Sequence, residues 1–144
     1  MTQIQYRTAS EAECSLLARL NQQLIQDEGH WNPMNLTQLE DRMRGWLAGE
    51  YQAVIFEIAD EAVAYALYKI DGDGIYLRQF FVDRSRRRQG LGSRAIGMLK
   101  NDIWPRDRRI VVEVLSNNHR ARGFWQATGF KEYALAMEIL PGTD

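Results

Sequence analysis

The sequence predicts an α/β protein of the mixed α+β kind: a largely antiparallel mixed sheet with helices on both faces and a central β-α-β unit. Three observations carry that expectation. The chain has 144 residues, 45% hydrophobic and 26% charged, which suits one domain, 1–144, with a real core. Segments that alternate with period two are interleaved with segments whose apolar residues recur at helical spacing. Hairpin signals come first in the chain, and one strand-helix-strand crossover follows them.

Each element has its own signal. "IQYRTA" (4–9) alternates and reads as a first strand. Ser10 then opens a helix, with Glu13 placed to complete a capping box. Leu16, Leu17, Leu20 and Leu24 recur on one face of it. Gly29 and Pro33 break the helix. Thr37 and Glu40 look like a second capping box, and Leu39, Met43, Trp46 and Leu47 give a second amphipathic helix ending near Gly49.

Strands 51–59 and 61–71 flank a tight turn at Asp60, so a hairpin is expected. "GIYLRQFFVD" (74–83) is a third strand of the group, after an Asp-Gly-Asp-Gly turn. Residues 91–103 read as a helix with Leu91, Ala95, Met98 and Leu99 on one face, stopped by Pro105. "RIVVEVL" (109–115) is β-branched and strand-like. Asn118 opens a short helix whose Ala121, Phe124, Trp125 and Thr128 share a face, and Gly129 is placed to cap its end. "KEYALAMEIL" (131–140) reads as a closing strand.

Composition narrows the function. A net charge of −1 gives no global attraction to nucleic acid or to an acidic membrane. The single cysteine, Cys14, allows no intrachain disulfide and no multi-cysteine zinc site, and it reads as a small core residue. No metal site is expected. No apolar run resembles a signal peptide or reaches the length of a membrane span, so a cytoplasmic protein is the default.

One stretch stands out: "DRSRRRQGLGSRAIG" (83–97), four arginines followed by Gly-x-Gly and a helix. Gly90 to Ala95 matches G-x-G-x-x-A, and Glu113 lies about where a dinucleotide fold wants an acid. In that fold, however, the strand runs directly into the first glycine. Here seven polar residues, Asp83 to Gln89, intervene after Val82. A polar loop entering a helix N-terminus fits another use. Its glycines keep side chains away, consecutive backbone N–H groups can point at one anion, and arginines add forked donors for phosphate oxygens. The loop would then hold a pyrophosphate.

Arg87-Arg88-Gln89-Gly90-Leu91-Gly92 resembles the [Q/R]-x-x-G-x-[G/A] signature of the GCN5-related N-acetyltransferases. The preceding "FFVDRSR" resembles that family's hydrophobic strand before the motif. "NHRARGFWQATGF" (118–130) resembles its N-x-x-A-x-x-[F/L]-Y-x-x-x-G-F element. The resemblance implies acetyl-CoA as donor and a primary amine as acceptor. It implies that the loop backbone from Arg88 to Ser93 holds the pyrophosphate, with Arg87, Gln89, Gly90, Leu91 and Gly92 in the same cofactor-binding segment. Phe81 and Val82 would offer main-chain groups to the pantetheine arm, lying like an extra strand between two splayed strands. A backbone N–H near Val82 would be the oxyanion donor. Asn118 would contact the cofactor while also serving as a helix N-cap.

The chain departs from the family pattern at Trp125, a cofactor-contact position where relatives often carry a tyrosine acid. An indole N–H donates a hydrogen bond but is no acid near neutral pH. Three consequences stay open. Tyr133 or Tyr76 supplies the proton; no acid is needed, since a thiol with pKa of about 8.5 leaves tolerably as thiolate; or the chain is a catalytically weak acyl-CoA-binding module. Glu113 is a candidate base if burial raises its pKa, and a salt bridge to Arg78 or Arg109 is the plainer reading. Tyr76 stands where relatives place a catalytic carboxylate.

In the resembled family the segment between the first two helices shapes the acceptor site. Here Asp27, Glu28, His30 and Trp31 suit a small cationic amine through charge and cation–π attraction. Asp27 and Glu28 at a helix C-terminus oppose the macrodipole, which favours a functional reading. A homodimer is a habit of the family, not a feature of this sequence.

Overall fold

A computed structural model describes residues 3–29, 32–72 and 74–142. The chain divides into two compact units, Met1–Glu113 and Val114–Asp144. The larger unit holds β1 (Gln5–Thr8), α1 (Cys14–Asp27), α2 (Leu36–Ala48), β2 (Tyr51–Ile58), β3 (Glu61–Asp71), β4 (Gly74–Val82), α3 (Leu91–Met98) and β5 (Arg109–Val112). The smaller holds α4 (His119–Ala127). The five strands form one sheet in chain order, antiparallel from β1 to β4, with β5 parallel to β4. This is the mixed, mostly antiparallel α+β fold that the sequence predicts.

Local chemistry explains most boundaries. The Ser10 backbone N–H donates to Glu13 Oε1 at 3.2 Å, and a short 3-10 turn, Glu11–Glu13, leads into α1. α2 starts earlier than Thr37 and Glu40 suggest. Its cap is Asn35, whose Oδ1 accepts from the Gln38 N–H at 2.9 Å while the Asn35 N–H donates to Gln38 Oε1 at 2.9 Å. Asparagine caps as well as threonine, so the first competent pair in the chain sets the helix start. Between β2 and β3, Ala59 and Asp60 have φ of 51° and 65°, the two left-handed residues of a tight hairpin turn. After α3 the helix widens into a π turn, Leu99–Ile103, before Pro105.

The period-two rule places the core. Ala53, Ile55, Tyr65, Leu67 and Phe81 pack with Cys14, Leu17, Leu20 and Met43 from α1 and α2. Val54, Phe56, Ala64 and Ala66 alternate with them and are buried too, so the sheet is covered on both faces. On that second face Tyr68 meets Trp104, just past α3, edge-on at 5.4 Å. No described helix is long and apolar enough to cross a membrane.

Two strand expectations need correction. The strand read at 109–115 spans only Arg109–Val112, because β5 pairs with β4 from Gly74 to Leu77 and no further. Opposite β3, Leu67 faces Gln79 and Tyr68 faces Leu77, so Arg78 is an extra residue that bulges β4 just where the parallel ladder stops. The closing strand read at 131–140 is not a strand among the described residues. Tyr133, Leu135, Met137, Ile139 and Leu140 are 59% to 86% exposed. Alternation gives a segment an apolar face, but a strand exists only through hydrogen bonds to a neighbouring ladder.

Candidate active site

The bulge at Arg78 leaves β4 with an open edge. From Gln79 to Val82 its β3 side is paired, and no β5 ladder lies on the other. The Asp83 N–H donates to the Val63 carbonyl at 2.8 Å, so Asp83 and, by alternation, Phe81 aim their main-chain groups at β3. Val82 therefore aims its N–H and carbonyl at the open edge. The carbonyl accepts from Arg87 Nε at 3.2 Å, and the N–H faces the same side.

The loop after β4 is shaped by its own side chains. Asp83 accepts from the Ser85 N–H and hydroxyl, both at 2.9 Å, and caps the 3-10 turn Arg84–Arg86. Arg88 has φ +66°, and Gly90, the residue before α3, has φ +71°. Left-handed residues turn successive N–H groups toward one point, and the first N–H groups of α3 add to them. Gln89, Gly90 and Ser93 are exposed, whereas Leu91 is buried and anchors the helix start. Gly92 lies in the first turn of α3 with an ordinary φ, so its contribution is the missing side chain.

The arginines behave differently from the sequence expectation of a phosphate-gripping cluster. Arg84 and Arg87 both bind the Asp27 carboxylate at the end of α1, Arg87 at 2.5 Å. Arg86 pairs with Glu61 at 3.5 Å. Of the four, only Arg88, which is exposed, makes no ion pair among the described residues. The loop thus turns backbone N–H groups outward and is tied down by guanidinium–carboxylate pairs.

Asp27 is accordingly placed as a brace, with a side chain only 5% exposed. Its carboxylate is committed to two cations, which removes it as an anchor for a cationic amine. Glu28 is exposed at the helix end. His30 and Trp31 lie outside the described residues.

Tyr76 and Glu113 come together: the Tyr76 hydroxyl donates to Glu113 Oε1 at 3.2 Å. Glu113 follows β5 and is exposed, not buried within an apolar strand as the sequence suggests. Burial first, then the Glu113 charge, raises the Tyr76 pKa above its ordinary value, which keeps the phenol protonated at neutral pH.

Asn118, Trp125 and Tyr133 belong to the smaller unit. Asn118 Oδ1 accepts from the Ala121 N–H at 3.1 Å, a helix N-cap that leaves its amide N–H groups for another partner. Trp125 stacks edge-on with Phe124 at 4.9 Å and with Phe130 at 5.1 Å. The tryptophan thus serves a local aromatic cluster that closes the end of α4, where Gly129 has φ +107°. Tyr133 is exposed.

Sequence reasoning missed a second set of residues on the α1/α2 side of the sheet. Arg42 and Arg78 both lie over the Trp46 ring, at 4.6 and 4.8 Å from its centroid. Arg78 Nη1 also donates to the Tyr51 hydroxyl at 3.3 Å. Arg42 Nη2 donates to Asn21, a buried asparagine, at 3.0 Å, and Arg42 Nε is buried without an acceptor. The signal was present: Arg78-Gln79 is a polar pair inside an otherwise apolar strand. Among the described residues no group of three His, Cys, Asp or Glu could hold a metal ion.

Comparison with known proteins follows the same lines. The acetyltransferase (GNAT) family pattern matches residues 12–130. No curated protein sequence matches. Among solved structures, "a possible acetyltransferase" from Clostridium difficile 630 is similar with a TM-score of 0.77 and 19% identity, over 98% of this chain and 99% of that one. A predicted acetyltransferase from Clostridium acetobutylicum, solved with acetyl-CoA, gives 0.75 and 19%, over 96% of each chain. An aminoglycoside antibiotic 6'-N-acetyltransferase from Acinetobacter haemolyticus gives 0.74 and 14%, over 97% of this chain and 99% of that one. Structural likeness at such identities speaks to the fold, and the family match speaks to kinship: this chain belongs to the acetyltransferase (GNAT) family.

Proposed function

We propose that the chain is a single-domain N-acetyltransferase. It moves an acetyl group from acetyl-CoA to the primary amine of a small molecule, by direct attack with both substrates bound. The observation that carries this reading is one continuous run of backbone. The open edge of β4 at Val82 leads through the braced loop into the Gly90-started helix. An extended thiol arm suits the first part, and a pyrophosphate suits the second. One structural neighbour, solved with acetyl-CoA, supports that fit. Acetyl-CoA would supply an electrophilic thioester carbonyl. The proposed setting for this activity is the cytoplasm.

The chain's own residues then have definite tasks. The Val82 N–H, aimed at the open edge, is placed to steady negative charge on an oxygen. Glu113 is solvent-reachable and takes a proton from the incoming ammonium through water. Tyr76, held protonated, is the donor for a departing thiolate, and Tyr133 is the alternative. Asn118 and Trp125 are assigned to the cofactor by their match to the family element.

The test is thiol release from acetyl-CoA with a panel of amines, alongside titration of CoA. Turnover with one amine class is the expected result. CoA binding without turnover across a broad panel would instead favour the acyl-CoA-binding module suggested by Trp125. Absence of CoA binding would remove the reading altogether. Sedimentation of the same sample decides the homodimer of family habit.

A further inference from the structure

We propose that Arg42 and Arg78, gathered on Trp46, bind a carboxylate on the acceptor amine. The inference rests on the acetyl-transfer reading and adds the class of acceptor to it.

The argument begins with ion pairing. Arg7, Arg44, Arg84, Arg86, Arg87 and Arg122 each have a carboxylate partner within the chain. Arg42 and Arg78 have none among the described residues, but unlike the exposed and equally unpaired Arg88 they converge on one ring. They share one tryptophan ring, and Lys69 adds a third cation 5.6 Å from the Tyr51 ring centroid, beside Arg78. Cation–π contact with a ring accounts for holding one cation, but two on the same ring repel each other. The Arg42 guanidinium has its pKa pushed down, first by burial and next by the Arg78 charge. Its Nε–H is buried with no acceptor, an arrangement that costs stability unless a partner arrives.

Geometry gives the cluster its place. Arg78 is the bulge residue at the start of the open edge, and it reaches toward α2 on the face that α1 and α2 cover. Val82 lies four residues further along the same strand, roughly 13 Å away at the usual strand rise. A small acceptor with its amine near Val82 and its anion at Arg78 therefore has the two groups several bonds apart. Two planar forks beside a flat ring suit a planar carboxylate. Asp27, which would oppose an anion if free, is neutralised by Arg84 and Arg87.

The experiment uses a series of ω-aminocarboxylic acids, each beside its neutral amide and the matching aminoalkyl phosphate. Turnover with acetyl-CoA is measured for each compound. In parallel, the Arg42 and Arg78 Nε–H resonances of 15N-arginine-labelled protein are followed as each is titrated. The expected result is a kcat/KM for acids about tenfold or more above that for amides, with both resonances shifting on adding the acids. Arg78→Gln, an exposed substitution, brings that ratio toward one; Arg78→Lys, which keeps the charge and loses the fork, falls between. Equal turnover of acids and amides, or unmoved resonances, overturns the proposal. A stronger response to the phosphates overturns the carboxylate assignment. Shifted resonances without turnover of any amine uphold the anion site and overturn acetyl transfer instead.

Discussion

Asp27 offers one carboxylate to two guanidinium groups, and its own side chain is almost wholly buried. Asp27→Asn should cost about 1.5–3 kcal/mol, the range for hydrogen bonds to charged groups, measured by chemical denaturation. It should also weaken CoA binding, because Arg87 would lose the contact that steadies its bond to the Val82 carbonyl. Gly90→Ala tests the loop differently. No atom lies within 4 Å of the added Cβ, so the whole cost is that of a left-handed alanine, about 1–2 kcal/mol. A CoA titration should register the same change as weaker affinity. Gly90 and Asn118 were legible in the sequence because a cap or a left-handed turn is decided by a few neighbouring residues. The Asp27 brace was not, since its partners lie 57 and 60 residues away.

Among the elements, α2 gives a clean comparison. Asn35→Ala removes the observed cap and should cost about 1 kcal/mol, whereas Thr37→Ala, inside the helix, should be near neutral; denaturation midpoints of the two variants decide. The pairing of β4 with β5 makes a second comparison. The Glu113 charge helps to raise the Tyr76 pKa, so Glu113→Gln should lower it while leaving it above the ordinary value, because burial is the larger cause. Tyrosinate absorbance during an alkaline titration reports the shift. Strand positions were readable from alternation, which is a property of each segment. The bulge at Arg78 was not, because a bulge is a mismatch between two strands and belongs to neither sequence alone. The fate of 131–140 was hidden for the same reason: its alternation says which side chains share a face and nothing about a neighbour.

For the molecule as a whole, Tyr65, Tyr68 and Tyr76 all have raised pKa values, with burial the largest cause in each. The folded state holds these protons more tightly than the unfolded chain. Their contribution is full below the unfolded tyrosine value of about 10 and is lost as pH climbs through the folded values. Denaturation midpoints should therefore be flat near neutrality and fall on the alkaline side, and Tyr76→Phe should make the fall shallower. The fold class was legible because its element order is nearly unique to a mixed sheet with one crossover. The order of the strands also bears on how the chain assembles. β2, β3 and β4 are successive hairpins that close short loops, whereas β5 joins only after the crossover from Val82 to Arg109. Short loops close at lower entropic cost, so the hairpins form the natural nucleus, and the parallel ladder and the Asp27 brace condense late. A substitution such as Ile55→Val should then slow refolding, while Asp27→Asn should chiefly speed unfolding. The segment proposed to hold the cofactor would be the last to fold and the first to let go.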